Sequence, residues 1–94
     1  MLTYNEAVKF ELINRDALRF DNPSFDSAVI GVDYYGRLIY DYDRMIEELM
    51  EADNISYEDA VDFISYNTLR ALDYIPSDMK PIVLMEEVMY DYKQ

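Results

Sequence analysis

The acidic side chains are the residues of this sequence whose type and spacing could support a function. Residues 39–62 hold nine acidic residues and a single basic one, Arg44. Asp43, Glu47 and Glu51 recur at every fourth position, so on a helix they form one stripe with about 6 Å of rise between neighbours. Carboxylates in such a row can accept hydrogen bonds from the lysine and arginine side chains of another protein.

The density of these charges is similar to that of one DNA strand. Together with Glu48, which lies beside the stripe, the carboxylates occupy roughly 12 Å of helix axis, and a DNA strand carries about one phosphate per 3.4 Å. Like charges at this spacing repel each other, so they do not stabilise the helix. We therefore predict a surface that binds a basic partner and that could imitate nucleic acid. The predicted partner-binding residues are Asp41, Asp43, Glu47, Glu48, Glu51, Glu58 and Asp62.

A second interpretation of the composition remains open. The chain has 94 residues and a net charge of −12, and acid-rich helix faces keep many small proteins soluble. Ten tyrosines and six methionines supply large side chains of the kind enriched in interfaces. The alternative function is a homodimerising structural module that associates through its Tyr and Met surface or an open sheet edge. Its acidic face would then serve solubility only.

The composition argues against catalysis. The absence of cysteine and histidine removes disulfides, thiolate chemistry, the usual zinc ligands and the commonest general base. Two glycines cannot build a phosphate-binding loop. Asp41 with Asp43, and Asp59 with Asp62, could touch Mg²⁺ or Ca²⁺, but neither pair matches a calcium-binding loop. We predict a protein that is not an enzyme, with no cofactor and no metal.

The charge and hydropathy also indicate the compartment and the class of partner. A strongly acidic chain lacks the basic patches that direct binding to nucleic acid or to an anionic membrane requires. No stretch approaches the roughly 20 apolar residues of a membrane span, and no basic segment precedes an apolar one near the first residue. We expect a cytoplasmic protein whose partner is a protein with a basic surface, such as a nucleic-acid-binding protein.

The N-terminal half predicts a helix followed by a hairpin. Thr3 and Glu6 form a capping-box pattern, and the apolar spacing behind them predicts a helix from about Tyr4 to Asn14. Residues 27–33 and 37–40 are rich in β-branched and aromatic side chains, which predicts a β-hairpin. On the first of these strands we expect Ile30 and Val32 to share one face, and Val29 and Gly31 to share the other.

The C-terminal half predicts two helices and a third strand. Helical periodicity covers 41–52, with Asp41 or Asp43 as N-cap and a buried stripe of Met45, Ile46, Leu49 and Met50. Ser56 begins another helix, which is expected to kink or restart at Asn67 and Thr68 because both are weak helix formers. Its expected buried face is Ala60, Phe63, Ile64 and Leu69, with Tyr66 as a further candidate. Residues 81–85 predict a strand, and 86–92 either extend it or form a helical turn.

These elements predict one fold class. The order α-β-β-α-α-β indicates a single α+β domain over 1–94, in which about three helices pack on one face of a small three-stranded antiparallel sheet.

One segment resembles a known group of proteins. Ser56-Tyr-Glu-Asp-Ala-Val-Asp-Phe-Ile-Ser-Tyr-Asn-Thr-Leu-Arg-Ala-Leu72, with Pro76 and the later Pro81-Ile-Val, is similar to small uncharacterised acidic proteins of bacterial prophages and conjugative elements. The resemblance covers roughly a third of the chain. It implies a cytoplasmic accessory protein of a mobile element, and such proteins include inhibitors of host defence. It transfers no functional residue to this chain.

Overall fold

The computed structural model describes residues 1–85, which form three helices and a three-stranded sheet. The elements are α1 (Tyr4–Lys9), β1 (Val29–Val32), β2 (Leu38–Asp41), α2 (Tyr42–Asp53), α3 (Tyr57–Phe63, continuing as a π-helix over Ile64–Leu69 and as an α-helix over Arg70–Leu72) and β3 (Ile82–Leu84). A 3₁₀ turn, Asp26–Ala28, precedes β1. The α+β class and the predicted order of elements are confirmed. The predicted continuation over 86–92 lies outside the described residues.

The sheet is mixed, so the prediction of a purely antiparallel sheet is wrong. Strand β2 lies in the middle, with β1 antiparallel on one side and β3 parallel on the other. The β2–β3 register pairs Ile39 with Ile82 and Asp41 with Leu84. Helices α2 and α3 form the crossover that a parallel neighbour requires. They return the chain to the end of the sheet where β2 begins, so β3 runs in the same direction as β2.

A β-bulge in the hairpin changes which side chains of β1 face the core. Val29 pairs with Tyr40 and Val32 pairs with Leu38, and the register shifts between Val29 and Gly31. The extra residue places Val29 and Val32 on the same face, since a bulge breaks the two-residue alternation. The predicted pairing of Ile30 with Val32 on one face is therefore wrong, and Val29 and Val32 both pack in the core.

Helix α1 begins where the capping box predicts but is shorter than expected. The Thr3 hydroxyl accepts from the Glu6 N–H at 3.2 Å. The helix ends at Lys9 rather than near Asn14, because Glu11 adopts a left-handed conformation with φ 55°. The Leu12 N–H then donates to the Ala7 carbonyl at 2.9 Å, which is the bond that closes a Schellman C-cap. Glutamate is a rare residue at this position, so the sequence did not signal the stop.

The caps of α2 and α3 agree with the sequence. Asp41 is the N-cap of α2, and Asn54 ends the helix with φ 54°. Ser56 accepts from the Asp59 N–H at 3.1 Å and begins α3. The interruption expected in α3 is a π-helical segment, Ile64–Leu69. Helix α2 packs on β2, and α3 packs on α2. The core consists of Phe25, Ala28, Val29, Leu38, Tyr40, Tyr42, Met45, Ile46, Leu49, Ala60 and Ile64. Tyr66, the further candidate for the buried face of α3, is 66% exposed, so that part of the prediction is wrong.

Candidate partner-binding face of helix α2

One side of helix α2 packs against the core, and this orientation determines which of its carboxylates are exposed. Met45, Ile46 and Leu49 are buried, as the predicted stripe required. Asp43 and Glu47 lie on the other side of the helix and are exposed. Glu51 is exposed as well, and Glu48 is half-buried. We call Asp43, Glu47, Glu48 and Glu51 the acidic face. The helix brings these four predicted residues together on one surface.

Within residues 1–85, no carboxylate of the acidic face forms an ion pair. Among residues 1–85 the ion pairs within 4.0 Å are Arg19–Asp26, Arg37–Asp33 and Arg44–Asp41. None of them includes a residue of the acidic face. The mutual repulsion of these charges is therefore offset by burial of the opposite side of the helix and not by salt bridges.

An open depression adjoins the acidic face. Its volume is about 540 Å³, and its lining consists of Ser27, Arg44, Glu47, Glu48, Glu51 and Ala52. The Ser27 hydroxyl donates a hydrogen bond to Glu48 Oε1, which fixes this carboxylate at the edge of the depression. Three carboxylates and one guanidinium thus surround a space that a lysine or arginine side chain of a partner can enter.

Ser27 is a site residue that the sequence did not indicate. It belongs to the 3₁₀ turn before β1, and this turn packs against α2. Its hydrogen bond to Glu48 joins residues 21 positions apart in the chain. Periodicity and capping report only local structure, so neither pattern could place Ser27 beside α2.

Asp41 has a structural role that separates it from the acidic face. Its side chain is 17% exposed, and Oδ2 accepts from the Arg44 backbone N–H at 3.2 Å. The Arg44 Nε lies 3.9 Å from the same oxygen. Asp41 is also the last residue of β2, so its carboxylate caps α2 at the point where the strand ends and the helix begins.

The other two predicted residues lie on α3, apart from the acidic face. Glu58 and Asp62 are exposed and four positions apart on this helix. Neither lines the depression beside α2. The structure therefore does not join them to the acidic face. Within the described part of the chain, no three acidic side chains converge closely enough to hold a metal ion.

Neither the hydropathy of the helices nor similarity to known proteins assigns a function to this surface. No helix within 1–85 has both the length and the apolar character needed to cross a bilayer. No family model matches the chain, and no curated protein or solved structure matches it either. The resemblance to proteins of prophages and conjugative elements therefore stays a prediction.

Proposed function

We propose that this protein is a non-enzymatic interaction protein whose acidic face binds a basic surface of a partner protein. The observation that carries the proposal is the row of carboxylates on α2, which is largely exposed, forms no ion pair within residues 1–85, and adjoins an open depression lined by Glu47, Glu48 and Glu51. A helix anchored by a buried side fixes the backbone positions of these groups, so a partner has to order only their side chains and little backbone entropy is lost on binding.

The charge of the whole molecule supports the same proposal. A net charge of −12 on 94 residues attracts a basic partner over distances of about one Debye length, roughly 10 Å at 0.1 M salt. Such attraction mainly raises the association rate and the specificity, and both fall as salt screens the charges. The partner that fits best is a nucleic-acid-binding protein, because its basic surface already accepts a row of negative charges. A mobile-element inhibitor of host defence is one protein that would act in this way.

A charge-matched pair of variants tests the proposal. Glu47→Gln/Glu48→Gln/Glu51→Gln removes three charges from the acidic face. Asp16→Asn/Asp73→Asn/Asp78→Asn removes three charges from exposed positions elsewhere. A fluorescent oligolysine peptide and a host lysate are the two probes, each at about 50 mM and about 500 mM salt, which bracket strong and weak screening.

The proposal predicts that only the α2 variant loses binding to basic partners. The α2 variant should bind oligolysine several-fold more weakly at low salt, and basic lysate proteins captured by the wild type should be lost. The control variant should keep both. Equal losses in the two variants would show that only net charge matters, and unchanged capture by the α2 variant would reject the acidic face as a binding surface.

The tip of the hairpin favours homodimerisation as a second candidate function. Tyr34 and Tyr35 are 95% and 65% exposed, with ring centroids 5.3 Å apart in an edge-to-face arrangement. Asp33 holds the turn, since Oδ1 accepts from the Tyr35 and Arg37 N–H groups at 3.0 and 2.8 Å. Desolvation opposes ionisation, but the hydrogen bonds from Arg37 hold the pKa of Asp33 below its usual value. Two fixed, exposed aromatic rings suit a self-complementary contact.

A further inference from the structure

A second cavity lies between α3 and the loop that follows α1. Its volume is about 210 Å³, and no residue of the acidic face lines it. The loop contributes Arg19, Phe20, Asp21, Asn22 and Pro23, and the chain from α3 onward contributes Phe63, Asn67, Thr68, Ala71, Leu72 and Ile75. We propose that this cavity binds a small neutral aromatic molecule that carries a hydroxyl group, with phenol as the minimal ligand.

Thr68 is the residue that points to a ligand. It lines the cavity, it is 8% exposed, and its hydroxyl forms no hydrogen bond within residues 1–85. A threonine inside a helix usually donates to the carbonyl one turn earlier, but Thr68 lies in the π-helical segment Ile64–Leu69 and does not do so. A buried hydroxyl without a partner is unfavourable, so a ligand that supplies the missing hydrogen bond gains affinity from it.

The size of the cavity selects a single ring. An apolar cavity of about 150 Å³ in another protein binds benzene, whereas sites for larger organic ligands measure about 300–1,000 Å³. A volume of about 210 Å³ therefore accommodates one six-membered ring with a small substituent. The cavity opens to solvent, since five of its lining residues are exposed: Arg19, Asp21, Asn22, Asn67 and Ala71.

The walls of the cavity suit an aromatic ring. Phe20 is fixed by its neighbours, because its ring lies 5.9 Å from Phe25 in an edge-to-face arrangement and 4.7 Å from Tyr40. Its backbone N–H donates to the Tyr40 hydroxyl at 3.4 Å. Phe63 and Leu72 supply apolar surface from the helical side. A ring bound between these walls gains edge-to-face contacts at ordinary centroid distances.

The charges around the cavity favour a neutral ligand over an anion. Arg19 is the one basic residue that residues 1–85 contribute to its lining, and its Nη2 already donates to both oxygens of Asp26, at 3.0 and 2.9 Å. Its guanidinium also lies over the Tyr4 ring, 4.7 Å from the centroid. With this charge balanced and a net charge of −12 on the chain, a carboxylate or phosphate would be repelled.

Titrations with phenol and benzene, followed by amide and methyl NMR shifts, test the site. Phenol should shift the resonances of the lining residues with a dissociation constant on the order of 1 mM, a reasonable affinity for so small a ligand. Thr68→Val keeps the shape of the side chain and removes only the hydroxyl. It should weaken phenol roughly 2- to 10-fold, the range expected for one net hydrogen bond, and should leave benzene unchanged.

Two further variants keep the result interpretable. Ser65→Ala removes an exposed hydroxyl from the same π-helical segment without touching the cavity, so phenol binding should not change. Ala71→Leu adds volume at the cavity wall and should abolish binding of both ligands while thermal unfolding stays cooperative. Phenol binding that is absent in the wild type, or equal in the wild type and the Thr68→Val variant, would overturn the proposal.

Discussion

Gly36 and Asn14 lie in direct backbone contact, although 22 positions separate them in the chain. The Asn14 N–H donates to the Gly36 carbonyl at 3.0 Å, and a Cβ at position 36 would lie 2.6 Å from the Asn14 nitrogen. Gly36 also has φ +84°, a conformation that other residues rarely adopt. This contact joins the turn of the hairpin to the segment after α1, so the position accepts no side chain.

Gly36→Ala is therefore expected to destabilise the protein. The left-handed conformation costs about 1–2 kcal/mol for an L-residue, and the collision with the Asn14 backbone adds to that figure. Urea unfolding measures the change. Gly31→Ala is the matched control, because a Cβ at Gly31 has no atom within 4 Å and that variant should retain wild-type stability. Similar unfolding midpoints for the two variants would contradict the close approach seen at Gly36.

The features that the sequence predicts are those with local causes. The Asp41 and Ser56 caps each depend on a side chain and a backbone group a few positions apart, and the stop at Asn54 depends on the left-handed backbone of that residue alone. The stripe of the acidic face depends only on helical periodicity. The sequence indicated the interruption of α3 because Asn67 and Thr68 are weak helix formers.

The features that the sequence missed have distant causes. The parallel pairing of β3 depends on where the two-helix crossover delivers the chain, and the bulge beside Ile30 depends on the register with β2. Ser27 reaches Glu48 only through tertiary packing. Thr68 gave no sign of its role, because a cavity exists only once the loop around Phe20 has packed against α3.

Tyr40 should make stability depend on alkaline pH. Burial raises the pKa of Tyr40 to about 12 from the usual 10.0, since the phenolate would lose its hydration. Between these values the unfolded chain releases the proton and the folded chain retains it, so the free energy of unfolding falls as pH rises. The full effect is at most about 3 kcal/mol. Urea unfolding from about pH 9 to about pH 12 should show a shallower fall for Tyr40→Phe than for the wild type. Parallel curves would exclude this role of Tyr40.

Asp41 should contribute to stability, and the acidic face should not. Asp41→Ala removes the acceptor for the Arg44 N–H and should lower the free energy of unfolding by about 1 kcal/mol, as for other N-caps. Asp41→Asn retains a capping oxygen and should lose much less. Glu47→Gln, at an exposed position, is the control and should change stability by no more than about 0.5 kcal/mol. If Glu47→Gln lowered the free energy of unfolding as much as Asp41→Ala, Asp41 and the acidic face would not differ in their contribution to stability.

Arg44 should weaken the binding of a basic partner, because among the described residues it is the one base that lines the depression beside the acidic face. Arg44→Gln removes that charge and keeps the backbone N–H that Asp41 caps. We expect oligolysine to bind this variant roughly 2- to 5-fold more tightly at low salt, a change typical of one exposed charge. Arg70→Gln, which removes an exposed charge from the end of α3, should have a smaller effect. Equal gains in both variants would assign the change to net charge alone.

Self-association through the hairpin tip should respond to salt in the opposite direction from partner binding. Two copies that each carry a net charge of −12 repel one another, so a dimer formed by Tyr34 and Tyr35 should become tighter as salt screens the repulsion. Sedimentation equilibrium at low and high salt measures this dependence. Tyr34→Ser/Tyr35→Ser should be monomeric, and Tyr66→Ser/Tyr74→Ser, which changes two other exposed rings, should associate like the wild type. A wild type that stays monomeric at high salt would contradict dimerisation through the hairpin tip. Partner binding by the acidic face would then be the better-supported function.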